Sequence, residues 1–332
     1  MTAIVDLTPL GIAVGHATDA EGATGLTVIR RHDGPFRAGF AVLGRATGSR
    51  DLLAASADHL VGGRVDAIVL TGGSAYGLDA AGGVMQWMEA RGRGLAVGPG
   101  VVPIVPAAVV FDLTPLGRFD ARPTTRMAYD ACESAVSLNV AEGSVGAGTG
   151  TTVGKILGPS MAMKGGFGCA TEHTVDGQLH VAAMVVVNAL GDVRDAHGAI
   201  IAGARAAGGG FADATRLLRS GDLAQPAKFD DVAMQNTTLA VVAVSAPMHA
   251  TELTQLARAA GAALFRRITP CGSSFDGDVV FALSPEQGDR ARFEPMIVEA
   301  LAVAALEQAI ERAVRLARGR DGIPGLADAH VD

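Results

Sequence analysis

Short runs of branched apolar residues alternate along this chain with longer stretches whose apolar positions recur every three or four residues. The short runs, at residues 26–30, 65–70, 181–188, 239–245 and 279–283, have the length and composition of strands. The longer stretches, at 51–60, 78–90, 127–137, 196–207, 251–264 and 294–317, have the period of helices. The last is the clearest, with Ile297, Leu301, Ala304, Leu306, Ile310, Val314 and Leu316 in register and Glu and Arg between them. Strands and helices mixed in this way predict a layered α/β or α+β domain. No internal repeat is visible. The one convincing linker, residues 221–231, is polar, contains Pro226 and has the character of an exposed, cleavable connection. It runs within a few residues of the Leu239 run, whose apolarity marks a core strand, so the linker reads as a processing site and not as a domain boundary.

Composition narrows the function classes. Gly is 44 of 332 residues, well above the ordinary share of about 7%, yet it follows no collagen-like period and no low-complexity tract, so these glycines belong to turns and close backbone approaches. Hydrophobic residues at 49% supply a large core, and aromatics at only 4% leave that core to Ala, Val, Leu and Ile. A net charge of −7 offers no footprint for nucleic acid or an anionic membrane surface. Residues 1–6 lack a basic segment ahead of an apolar one, and the longest apolar run, 101–111, is cut by Pro103 and Pro106, so a cytoplasmic protein without a membrane span is expected. Cys132, Cys169 and Cys271 are widely spaced with no CxxC pair and suggest neither a zinc site nor a disulfide framework, and His16, His173, His180 and His197 lack ligand spacing, so no metal is expected. Residues 149–156 look like a phosphate loop, but Thr149 replaces its first glycine and Ile156 the hydroxyl that would hold magnesium, so no nucleotide or other cofactor is expected.

The candidate chemistry lies at residues 235–239 (QNTTL), where the polar linker runs into the strand through two threonines. A hydroxyl nucleophile on the first residue of a strand can have its base made for it. Cutting the bond between Asn236 and Thr237 would leave Thr237 with a free α-amine, and a threonine paired with its own amino terminus is one recognised activated nucleophile. Such an amine, with a reference pKa of about 7.7–8.0, is partly unprotonated near neutrality. Asn-Thr-Thr is equally an Asn turn leading into a strand, and formally a glycosylation sequon.

Four further segments stand in a telling order: residues 65–79 (VDAIVLTGGSAYGLD), a strand, glycine turn and helix start; residues 143–155 (GSVGAGTGTTVGK), a glycine loop ending on Lys155; residues 185–188 (VVVN), a strand ending on an amide; and residues 273–278 (SSFDGD), an acidic turn. Together with Asn236-Thr237-Thr238, this order resembles the self-processing aminopeptidases of the DmpA type, which include β-peptidyl aminopeptidases and endo-type nylon-oligomer (6-aminohexanoate) hydrolases. The resemblance runs over nearly the whole chain. It implies a single domain cut into an α-chain of residues 1–236 and a β-chain of residues 237–332, with Thr237 as nucleophile and Asn188 facing the oxyanion, a task suited to a preorganised neutral donor. Lys155 matches the lysine of the nylon-hydrolase branch, where a cation disfavours the charged form of a neighbouring amine. Asp276 is implied to orient or receive the ammonium form of that amine and Ser274 to relay a hydrogen bond to it, while Asp278 caps the turn or pairs locally.

Two positions depart from the nylon hydrolases: Ser274 replaces one of their two carboxylates, and Phe111 stands where they carry a tyrosine. Gly72, Gly73, Tyr76 and Phe111 are candidates for the substrate pocket. The implied fold is a four-layer α-β-β-α sandwich resembling the N-terminal-nucleophile hydrolases, the implied substrate a small peptide or amide oligomer, and the implied assembly a tetramer of αβ units. Exo and endo cleavage both stay open, and an unprocessed, inactive relative serving as a binding or scaffold protein is the alternative from a different class.

Overall fold

A computed structural model describes residues 4–221, 235–288 and 294–330. All but the first residue of the expected linker at 221–231 lies outside them. Two large sheets form the centre. The first runs Ile12–Asp19, Thr24–Arg31, Ala67–Thr71, Ala107–Val109, Ser49–Arg50 in hydrogen-bonded order. The second runs Gly166–His173, His180–Asn188, Thr237–Val244, Val279–Pro285, Phe36–Val42, Arg64–Val65. Helices Ala81–Glu89 and Thr125–Glu133 cover the first sheet, and Ala250–Arg267 and Pro295–Arg315 cover the second. The result is the expected four-layer α-β-β-α sandwich.

The period of two along each strand fills three apolar layers. In Thr237–Val244, residues Leu239, Val241 and Ala243 enter the core between the sheets, while Ala240, Val242 and Val244 pack under the two long helices. His180–Asn188 divides in the same way, with Ala182, Met184 and Val186 facing the other sheet and Val181, Ala183, Val185 and Val187 facing the helices. The high glycine content follows from how closely the helices lie on the sheets. A Cβ on Gly168 would sit 2.0 Å from the Ala309 carbonyl oxygen, and one on Gly15 would sit 1.8 Å from that of Ala131.

Two expected helices are absent. At 51–60 only a short 3-10 turn, Leu52–Ala55, forms, because Leu53 and Leu60 are exposed and the segment has no apolar stripe to bury. At 196–207 the chain is a strand, Ile200–Ala202, paired back on Asp192–Arg194. Gly198 turns there with φ of +83°, the Asp195 carboxylate accepts the His197 and Ala199 N–H groups, and the β-branched Ile200 and Ile201 prevail over the alanines around them. Among the described residues no helix is long and apolar enough to cross a membrane.

Candidate active site

Strand register brings the two key residues together. The antiparallel pairing of the two central strands sets Asn188 opposite Thr237, and both continue the alternation that faces the gap between the sheets. Thr238, one residue on, continues the alternation towards the helices, which separates it from the site. The two strands thus carry a hydroxyl and a carboxamide side by side at one end of the sandwich.

The amide of Asn188 has only one sensible orientation. Its Oδ1 accepts from the Thr152 N–H at 3.0 Å and from Lys155 Nζ at 2.9 Å, and neither of these donors can accept in return. Its Nδ2 therefore faces the other way and donates to the carbonyls of Gln235 and Phe111, both at 3.0 Å. Lys155 is buried, and its ammonium also donates to the Asn188 carbonyl at 3.0 Å and the Gln235 carbonyl at 2.8 Å. Burial pulls the pKa of Lys155 from 10.5 down to about 7, with the charges of Asp276 and Asp278 pulling the other way.

Thr237 is only 4% exposed. Its hydroxyl donates at 2.7 Å to the carbonyl oxygen of Asn236, which also accepts the Gly277 N–H at 2.8 Å. A Cβ on Gly277 would lie 2.7 Å from Thr237 Oγ1, so a side chain there would displace the hydroxyl. Asp276 stands beside the junction through a parallel bridge to Asn236, and its carboxylate accepts from the Ser273 N–H at 2.8 Å. Asp278 reaches further than a local cap: Oδ1 accepts the Thr238 N–H at 2.6 Å, while Oδ2 takes the Cys271 thiol and the Gly272 N–H, both at 3.1 Å. Burial first, and the neighbouring Asp276 second, raise the pKa of Asp278. The Cys271 thiol is pushed up by the same burial and by Asp278, and stays protonated.

Thr237, Asn188, Lys155 and Asp276 are thus gathered around the Asn236–Thr237 peptide. Ser274 is not among them. It sits exposed on the acidic turn with no hydrogen bond from its side chain among the described residues, and the neighbouring Ser273 amide holds Asp276 instead. Phe111 enters through its backbone carbonyl. Its neighbour Asp112 is buried, with its pKa raised by burial to about 6, and accepts the Gly73 N–H at 2.6 Å and the Thr24 hydroxyl at 2.7 Å. Gly72 and Gly73 therefore line the same corner, while Tyr76 is 55% exposed under the guanidinium of Arg122, with no hydrogen bond to Thr237 or Asn188 among the described residues. Gly277 and Thr152 enter the site without a signal in the sequence, and Asp278 enters it by reaching beyond its own turn. The first two contribute backbone amides, which no residue type advertises, and an Asp-Gly pair such as that at 276–277 is by itself an ordinary hairpin signal. Among the described residues no group of three or more His, Cys, Asp or Glu side chains is placed to hold a metal ion.

Comparison with known proteins adds a family. The model for Peptidase family S58 matches residues 2–325. An uncharacterized aminopeptidase of Mycobacterium tuberculosis is 39% identical over 280 residues, which cover 80% of this chain and 78% of that protein. A 6-aminohexanoate-oligomer endohydrolase of Kocuria sp. is 29% identical over 296 residues, covering 84% of this chain and 74% of that one. The solved L-aminopeptidase D-Ala-esterase/amidase of Ochrobactrum anthropi, described as a variant of the Ntn hydrolase fold, superposes with a TM-score of 0.70 at 20% identity over 96% of this chain and 88% of its own. At that identity the likeness shows the shared fold.

Proposed function

The chain belongs to peptidase family S58 and is an amide-bond hydrolase, and from that premise we propose that it is made as a latent precursor, cuts its own Asn236–Thr237 bond and then uses Thr237 as the nucleophile on short peptides or amide oligomers. The observation that carries this reading is the shared carbonyl oxygen: the Asn236 oxygen has the Thr237 hydroxyl on one side and the Gly277 N–H on the other. Thr237 Oγ attacks the Asn236 carbonyl carbon, and the charge that develops on the oxygen falls on a donor already in place. The C–N bond breaks, the acyl group passes to Oγ as an ester, and the α-amine of Thr237 leaves with the proton. Water hydrolyses the ester and frees the Asn236 carboxylate. Burial supports the need for this step, since Thr237 in the uncut chain has almost no surface to offer a substrate.

In the mature α-chain of residues 1–236 and β-chain of residues 237–332, the amine of Thr237 serves as base for its own hydroxyl. Lys155, within reach of both Asn188 and the Gln235 carbonyl, disfavours a second positive charge on that amine, and Asp276 orients it. Asn188 Nδ2, which the Gln235 carbonyl occupies in the uncut chain, then takes the oxygen of the substrate carbonyl. A tetramer of αβ units fits an apolar surface hairpin, Leu95–Val97 with Gly100–Val102, whose Leu95, Val97 and Val102 are exposed.

Intact-mass analysis tests the core of the proposal. Chains of 236 and 96 residues out of 332 correspond to about 24 and about 10 kDa of the 33.6 kDa total, and both are expected. Thr237→Ala is expected to leave one 33.6 kDa species without hydrolytic activity. Cleavage that persists in that variant removes Thr237 from the role, and a wild-type protein that is uncut and inert towards peptides, β-peptides and amide oligomers is a binding protein instead.

A further inference from the structure

Lys164 is an ammonium group that the steps above do not use. It is 1% exposed, and among the described residues no carboxylate lies within ion-pair distance of it. Asp112 attracts it only from further off. Burying a cation without a close counter-ion is costly, so its donors must be well employed. They are spent on the glycine loop: Nζ donates to the Thr149 carbonyl at 2.8 Å and to the Thr151 carbonyl at 2.7 Å.

The second of these contacts leads to the site. The Thr151 carbonyl also accepts the Gly165 N–H at 3.0 Å, so two donors pull on one oxygen. The opposite edge of the same peptide group is the Thr152 N–H, which donates to Asn188 Oδ1 at 3.0 Å. Donors on a peptide oxygen polarise the group and strengthen the bond its N–H makes, since hydrogen bonds in series reinforce one another. The Thr152 N–H is one of the two donors that hold Asn188 Oδ1 in place and so turn Nδ2 towards the acyl position.

We infer that Lys164 is a positioning residue for hydrolysis, acting through the Thr151–Thr152 peptide to hold the Asn188 amide with its N–H groups aimed at the substrate carbonyl. The inference rests on the role proposed above for Asn188. It differs from a purely structural staple of the glycine loop in one respect: the effect on turnover must pass through Asn188, whereas a staple would lower the folded fraction and leave the coupling to Asn188 at zero.

The test is a double-mutant cycle on turnover, with kcat and KM measured per mole of processed β-chain, for Lys164→Met, Asn188→Ala and the pair. Lys164→Met is expected to split into two chains and to lose about 10- to 100-fold in kcat, with KM within about threefold of wild type, as for a catalytic group displaced by part of an ångström. In the Asn188→Ala background the same substitution is expected to change kcat by less than about twofold, because residues that act as one unit are non-additive. Lys164→Gln keeps two N–H donors without the charge and covers the case in which the Met variant does not fold; its kcat is expected between wild type and Met, again with no added effect when Asn188 is absent. A full-sized loss in the Asn188→Ala background, or unchanged kcat in a folded Lys164 variant, overturns the inference. Those outcomes leave a processed and active wild-type enzyme, whereas failure of the Thr237 assignment appears in the wild type and in Thr237→Ala.

Discussion

Asn188→Ala separates the two reactions assigned to this site. In the uncut chain both N–H groups of the Asn188 amide are spent, one on Gln235 and one on Phe111, and the carbonyl to be attacked is held by Gly277 instead. Removing the amide therefore takes nothing from the oxygen that gains charge during self-cleavage, and two chains are expected at close to the wild-type rate. Turnover of an external amide is different, because there the freed Nδ2 is the oxyanion donor. Loss of one such donor slows acyl transfer by about 10²–10³-fold, or about 2.7–4 kcal/mol of transition-state stabilisation. Folding is weakened as well: the Thr152 N–H and one direction of the Lys155 ammonium lose their acceptor, a cost of about 1–3 kcal/mol. The assay follows intact mass against time after purification, then initial rates per mole of β-chain, with melting temperature measured alongside. Accumulation of the uncut 33.6 kDa species would show that Asn188 serves maturation. Unchanged turnover per mole of β-chain would remove it from the oxyanion site altogether.

Gly277→Ala acts on the other reaction. The added Cβ would meet Thr237 Oγ1 at 2.7 Å and the Ala46 carbonyl at 2.8 Å, so the hydroxyl must shift, and self-cleavage is expected to slow by about 10- to 100-fold with visible precursor on a denaturing gel; precursor that vanishes at the wild-type rate would refute the close packing. Ser274→Ala, on the exposed turn, is expected to leave processing and turnover within about twofold, whereas a large loss would restore the relay role that resemblance gave this residue. Both buried lysines have folded-state pKa values of about 7, below the ordinary 10.5. The unfolded chain therefore binds more protons between those limits, and the lysines make stability rise with pH through that window. Between pH 7 and about pH 8.5, below the range in which thiols of the unfolded chain ionise, the melting temperature is expected to increase with pH, less steeply in Lys164→Met, and an identical slope in the two proteins would contradict the burial argument.

Most of the fold was legible because its signal is apolar period, and the errors fall where that signal was weak. The five strand runs and the helix at Pro295–Arg315 are carried by side chains that repeat at the right spacing. The strands Ile12–Asp19, Phe36–Val42 and Gly166–His173 carry a weaker signal because each contains glycine, which interrupts the apolar pattern, and in all three it does so where a helix backbone lies too close for a Cβ. The false helix at 196–207 rested on alanines, which favour a helix but bury little, and a glycine turn with two isoleucines outweighed them.

The site divides along a similar line. Side chains with distinctive chemistry at the edges of recognisable strands, Thr237 and Asn188, could be found from sequence, and strand pairing with a period of two is enough to set them on one face. Lys155 and Asp276 could be named but not placed, since their positions depend on a glycine loop and a tight turn whose paths have no period. What stayed hidden was backbone: the Gly277 N–H on the Asn236 oxygen and the Thr152 N–H on Asn188. On the proposed mechanism, the first of these amides is what makes one peptide bond reactive in a chain with so few unusual side chains. The donor that would meet the developing charge is supplied by a turn that must carry glycine, so the proposed specificity for Asn236–Thr237 lies in which peptide the Gly277 turn touches as much as in the threonine itself.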